Sequence, residues 1–183
     1  MANENPPLVW VDCEMTGLDL DKDALIEIAV LVTDENLNVL GDGIDLVIQT
    51  EIAKLDGMSP EVRAMHTESG LLEKLKVGVQ MSFAEEKILE YLSNFTAAGK
   101  SPIAGNSIGM DRNFINRDMP KLGAFLHYRS VDVSSIKELA RRWYPKVYFA
   151  APKKTGNHRA LGDIQDSIAE MKYYRENIFI SNT

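Results

Sequence analysis

The segment VWVDCEMTGLD (9–19) sets two carboxylates, Asp12 and Glu14, into a run otherwise suited to a hydrophobic strand entering a turn. Residues two apart on a strand point to the same side, so both carboxylates can aim at one point while Cys13 faces the other way. Desolvating an unpaired carboxylate costs several kcal/mol unless a cation or hydrogen bonds compensate, so the pattern points to a bound cation. Acids make up 27 of 183 residues, however. An acid-x-acid spacing therefore also arises by chance, and an exposed edge strand with solvated acids is the competing reading.

Two further places carry acids that such a site would use. In AGNSIGMD (104–111), Gly and Asn permit a tight turn and Asp111 opens the following helix, either as a ligand or as an acid favoured by the helix dipole. In NHRALGD (157–163), His158 and Asp163 are five apart. Five residues turn a helix through about 500°, which separates the side chains by roughly 140°, so the two cannot share a helical face. If both serve one site, His158 sits in the loop before the helix and Asp163 in its first turns. Carboxylates without thiolates favour a hard cation, Mg2+ or Mn2+, over zinc, and His66, His127, His158 and Cys13 show no zinc spacing. The chain contains no G-x-S-x-G elbow and no Walker A loop, and Cys13 between two acids is poorly placed as a thiolate.

The elements that must hold these residues follow from periodicity. LVWVDCEM, LIEIAVLVTD (25–34) and IDLVIQT (44–50) read as three strands of an antiparallel meander. Ser82-Phe83-Ala84-Glu85 reads as a capping box before Ile88, Leu89, Leu92 and Phe95 at helical spacing. SPIAGN (101–106) and HYRSVDV (127–133) read as further strands. Ser135-Ile136-Lys137-Glu138 reads as the cap of a helix carrying Ile136, Leu139, Ala140 and Trp143 on one face. Leu161, Ile164, Ile168 and Met171 predict a C-terminal helix over 160–177. Without repeat, low-complexity tract or long linker, this order predicts one domain over 1–183: a mixed sheet with helices on its faces.

Composition narrows the setting. No apolar run approaches the roughly 20 residues that span a bilayer, the N-terminus lacks the basic and apolar segments of a secretory signal, and one cysteine forms no internal disulfide. A cytoplasmic protein with no membrane partner is expected. The net charge of −7 argues against a long phosphate backbone, because gripping many phosphates takes a basic stripe. Positive charge is instead local, at Arg141-Arg142, Lys153-Lys154 and Arg159, so a nucleic acid ligand would be short or held at one end.

The order D-x-E, N-x4-D, H-x4-D resembles the DEDDh exonucleases. The segments VDCEMTGLD, MHTESGL, AGNSIGMDRNF, HYRSVDVSSIKELARRWYP and HRALGDIQDSIAEMKYYR are similar to the oligoribonuclease family across nearly the whole chain. The resemblance implies an α/β ribonuclease H-like fold with a mixed five-stranded sheet, a homodimer, and removal of nucleotides from the 3′ end of very short RNA with two divalent cations. It implies that Asp12, Glu14, Asp111 and Asp163 hold those cations and that His158 is the general base. It places Leu18 as a wedge between bases, Ser107, Arg129, Ser134 and Ser135 around a 5′ phosphate, and Tyr128 as a contribution from the partner subunit. The family's base-stacking Trp falls at Glu61, and no Phe, Trp or Tyr lies between Trp10 and Phe83, which leaves Met58, Val62, Met65 or His66 to face the base. A DNA-directed 3′-exonuclease carrying the same five catalytic positions is the rival enzyme, and an idle interaction module the rival outside enzymes.

Overall fold

A computed structural model describes residues 5–152 and 159–179. Three strands come first: β1 (Leu8–Met15), β2 (Leu25–Thr33) and β3 (Val39–Val47). Three short helices follow, α1 (Ile52–Asp56), α2 (Pro60–Glu68) and α3 (Leu71–Lys74), and then α4 (Met81–Leu92). Strand and helix next alternate through β4 (Pro102–Gly105), α5 (Gly109–Asp118), α6 (Pro120–Phe125), β5 (His127–Asp132) and α7 (Val133–Trp143), before α8 (Pro145–Ala150) and the long α9 (Ala160–Ile178). The sheet runs β3-β2-β1-β4-β5, antiparallel in its first half and parallel where β4 joins β1 and β5 joins β4. This is the expected meander followed by crossovers, and β1 is the central strand rather than an edge.

The pleat sorts β1 between two cores. Val9, Val11 and Cys13 pack with Ile88 and Leu92 of α4, Phe114 and Ile115 of α5, and Leu122 of α6. Trp10 points the other way, onto Ala160, Ile164, Ile168 and Tyr174 of α9 and Val133 and Ala140 of α7. Each buried aliphatic or aromatic side chain contributes about 1.5–3 kcal/mol, so both layers hold the strand firmly. Asp12 and Glu14 continue the Trp10 face toward the first turn of α9.

Local details depart from the sequence reading at caps and at one strand start. Helix α4 starts at Met81 with Gln80 as N-cap, so Ser82 is no cap. Glu85 is buried and accepts from the Lys121 and Leu122 amides at 2.7 and 3.1 Å, where it caps α6 instead of its own helix. Likewise Asp132, not Ser135, caps α7, accepting from the Ser134 amide at 2.9 Å. Strand β3 begins at Val39, earlier than expected, because Gly41 and Gly43 take positive φ and let a strand pass through what reads as a turn. Arg141 and Arg142 both pair with Glu138, which offsets half the charge of that basic cluster on its own helix.

Candidate active site

Asp12 and Glu14 leave the same face of β1, and Asp163 comes down from the first turn of α9. One carboxylate oxygen from each lies within 4.8 Å of the others. Asp111 arrives from the opposite layer. The ladder between β1 and β4 ends at Trp10–Ala104, and beyond it the Cys13 amide donates to Asp111 Oδ1 at 2.9 Å. Gly105 permits the close approach of the two backbones there, since a Cβ would lie 2.7 Å from the Val11 carbonyl oxygen. Asp111 is therefore tied to the backbone between the two β1 acids, which is more than the helix dipole asks of it.

The electrostatics are those of a site short of positive charge. Burial, then the charges of Glu27, Asp163 and Asp111, push the Glu14 carboxyl up to about 8, with Arg159 opposing. Burial pushes Asp111 up to about 6. The Cys13 thiol is raised well above its usual range by burial and by the neighbouring Asp111, so it stays protonated and is no nucleophile. A set of hard oxygen donors whose mutual repulsion is this large fits a divalent cation. Because the folded carboxyl of Glu14 titrates above its unfolded value, its contribution to stability is full below pH about 4.5 and is lost as pH rises through about 8. The metal-free protein is expected to lose several degrees of Tm between pH 5 and pH 8, and Mg2+ at pH 8 to restore them. Glu14→Gln should flatten that profile. A Tm that neither falls with pH nor responds to Mg2+ would contradict the reading.

The other expected residues fall into separate groups. Leu18 is 65% exposed on the turn after β1. That turn is braced by Asp23, which accepts from Thr16 Oγ1 at 3.0 Å and from the Asp19 amide at 2.9 Å, and whose carboxylate leaves no room for a Cβ on Gly17. Ser107, in the left-handed region at φ 53, and Ser134 bring their hydroxyls to 3.1 Å, braced by Asp132 and Asn106. Ser135 is exposed one residue on. Tyr128 and Arg129 form a second pair, with Arg129 Nε donating to the Tyr128 hydroxyl at 3.1 Å. They lie four and three residues before Asp132 on edge strand β5, about 10 Å or more along it. Arg129 lines a cleft with Leu8, Pro102 and His127 at the other end of the sheet. The expected single ring of Ser107, Arg129, Ser134 and Ser135 is thus divided within one protomer. His66 is fully buried, with Nε2 2.8 Å from the Met15 carbonyl oxygen and Nδ1 3.9 Å from Glu14, so it packs behind the carboxylates and offers no face to a base. Met58 is buried too, whereas Val62 and Met65 are half-buried. His158, with Lys153 and Lys154, lies outside the described residues.

One charged residue escaped the sequence reading. Glu27, in LIEIAVLV, is fully buried opposite Glu14 and paired with Arg159. A lone acid in an otherwise apolar strand was the available signal, the same one that marks Asp12 and Glu14.

Comparison with known proteins places this mixed sheet, with acids converging at the end of its central strand, among the exonucleases. The RNase T family of exonucleases matches residues 9–171. Solved structures of the same fold include Escherichia coli exonuclease I with single-stranded DNA in a zinc-bound form, at a TM-score of 0.72 and 16% identity, over 96% of this chain and 41% of that one. Exonuclease I from Methylocaldum szegediense matches at a TM-score of 0.68 and 20% identity, over 94% of this chain and 41% of that one. The oligoribonuclease of Streptomyces avermitilis is 58% identical over 96% of this chain and 88% of its own length, and that of Cutibacterium acnes 57% over 94% and 86%. The chain belongs to the oligoribonuclease family.

Proposed function

We propose that this exoribonuclease removes nucleoside 5′-monophosphates from the 3′ end of very short RNA, preferring diribonucleotides, with 1–183 acting as one exonuclease domain. The observation that carries the proposal is the convergence of Asp12, Glu14 and Asp163 beside Asp111 on a central strand where uncompensated acids do not belong. These four residues would hold two divalent cations, Mg2+ or Mn2+. Ions held there would acidify a water for attack on the phosphorus and stabilise charge on the leaving 3′ oxygen. The protein's own work is to fix the carboxylates on β1, α5 and α9 and to take the water's proton on His158, whose ordinary pKa of about 6.5 suits a base near neutrality.

Exposed Leu18 wedges between the two bases, and the hydroxyls of Ser107, Ser134 and Ser135 donate to the terminal 5′ phosphate. Tyr128 reaches the site of the partner subunit in a homodimer. Because Arg129 is bonded to Tyr128 and lies away from its own carboxylates, the pair enters the partner's site together. The apolar surface of Leu139, Trp143, Tyr144 and Phe179 is the face we assign to the dimer contact. The working compartment is the cytoplasm; no helix among the described residues is long and apolar enough to cross a membrane.

Turnover of a ribo- and a deoxyribo-dinucleotide of the same bases in Mg2+ tests the substrate. The ribonucleotide should be cleaved faster and yield only 5′-monophosphates, whereas equal or faster cleavage of the deoxyribonucleotide would return the DNA-directed reading.

A further inference from the structure

Glu27 is fully buried, and its two carboxylate oxygens are both engaged. Arg159 Nε lies 2.9 Å from Oε1 and 3.2 Å from Oε2, Arg159 Nη2 also reaches Oε1, and the Ala160 amide donates to Oε2 at 3.3 Å. Arg159 further touches Asp45 of β3 at 3.4 Å. Arg159 is the N-cap of α9, yet its own side chain caps nothing. The orphan amide at the start of the helix is satisfied by an acid from a strand 133 residues away. One turn on, the Asp163 amide donates to the Arg159 carbonyl oxygen at 3.0 Å, so the residue that Glu27 grips carries Asp163 on the same turn of backbone.

Stability alone does not call for this arrangement. Helix α9 is already seated by Ile164, Ile168 and Tyr174, and a buried ion pair is commonly no more stable than apolar side chains of equal volume. The location is also costly for a carboxylate, because Glu27 sits directly opposite Glu14 in the β1–β2 register and its charge adds to the repulsion there.

We propose that the Glu27–Arg159 ion pair is a positioning device for the carboxylate site: it fixes the first turn of α9 so that Asp163 meets Asp12 and Glu14, and it withholds Glu27 from becoming a ligand itself. The inference rests on the reading of that site as a divalent cation site. Arg159 suits the task because its planar fork binds both oxygens of Glu27 while pointing along the strand toward Asp45, which a lysine ammonium cannot reproduce. Partners that orient metal ligands without touching the metal typically account for 10- to 100-fold in affinity.

The test is calorimetric titration of metal-free protein with Mn2+, for the wild type, Glu27→Gln, Arg159→Lys and Asp12→Asn, each below its measured Tm. Wild type should bind and Asp12→Asn should lose that binding. Glu27→Gln and Arg159→Lys should remain folded and bind Mn2+ at least tenfold more weakly. A lowered Tm with wild-type Mn2+ affinity in both variants would make the pair merely structural and overturn the proposal. Wild-type affinity in Arg159→Lys alone would show that charge suffices and overturn it as well. Absence of Mn2+ binding by the wild type would overturn the site reading and the proposal together.

Discussion

Asp12→Asn is expected to lower hydrolysis of a diribonucleotide in saturating Mg2+ by roughly 10³-fold or more, with the fold intact. The swap is nearly isosteric and removes only ligand charge from the point where one oxygen each of Asp12, Glu14 and Asp163 meet. Relieving repulsion inside that cluster should leave the metal-free Tm unchanged or higher, which separates loss of a ligand from loss of structure. Retention of more than a few per cent of activity would remove Asp12 from the cation site. The same variant tests the assembly. When it is mixed with Tyr128→Ala protein, a hybrid dimer in which Tyr128 serves the partner's site has one site with both lesions and one with neither, so activity should reappear. No recovery after confirmed subunit exchange would place Tyr128 in its own subunit's site or outside the chemistry.

The second large effect is at His158. His158→Ala should lower kcat by about 10²- to 10⁴-fold, with a smaller effect on KM, as removal of a general base does. A base must be neutral to accept a proton, so wild-type kcat at saturating Mg2+ should fall on the acidic side, and this acidic limb should vanish in the variant. An unchanged profile would make His158 an ordinary loop residue.

How much of this the sequence disclosed depended on whether a residue's partner was local. The alternation in VWVDCEM and the stripe of Ile164 and Ile168 are set by element geometry, so strand β1, the shared face of Asp12 and Glu14 and the place of Asp163 were legible, whereas the central position of β1 was not. Glu85 and Glu27 satisfy amides or guanidinium groups that the chain brings to them from elsewhere, and no spacing rule finds such partners; Asp132 caps α7 through the amide two residues on, a local signal that the choice of Ser135 passed over. The helices between Ile52 and Lys74 were silent because each is short, and they are held by Met58, Leu71 and Leu75 packing on Ile26 rather than by a long amphipathic stripe. The separation of Arg129 from Ser107 was likewise hidden, since motif order carries no information about which end of an edge strand a side chain serves.

The proposed site would close around a very short substrate, in keeping with an acidic chain that has little field with which to hold a longer one. On the proposed function, charge-assisted hydrogen bonds from Arg129 and the serines to a terminal 5′ phosphate, each about 1.5–3 kcal/mol, would be given up when a further nucleotide occupies that place. The most direct measurement is kcat/KM for 5′-phosphorylated RNA of increasing length from two nucleotides, with wild type and Arg129→Ala. The highest value is expected for the diribonucleotide, with a fall of tenfold or more by three or four nucleotides, at about 1.4 kcal/mol per factor of ten, and a flattened profile in Arg129→Ala. Equal efficiency on two- and seven-nucleotide RNA would contradict it and describe an open-groove exonuclease.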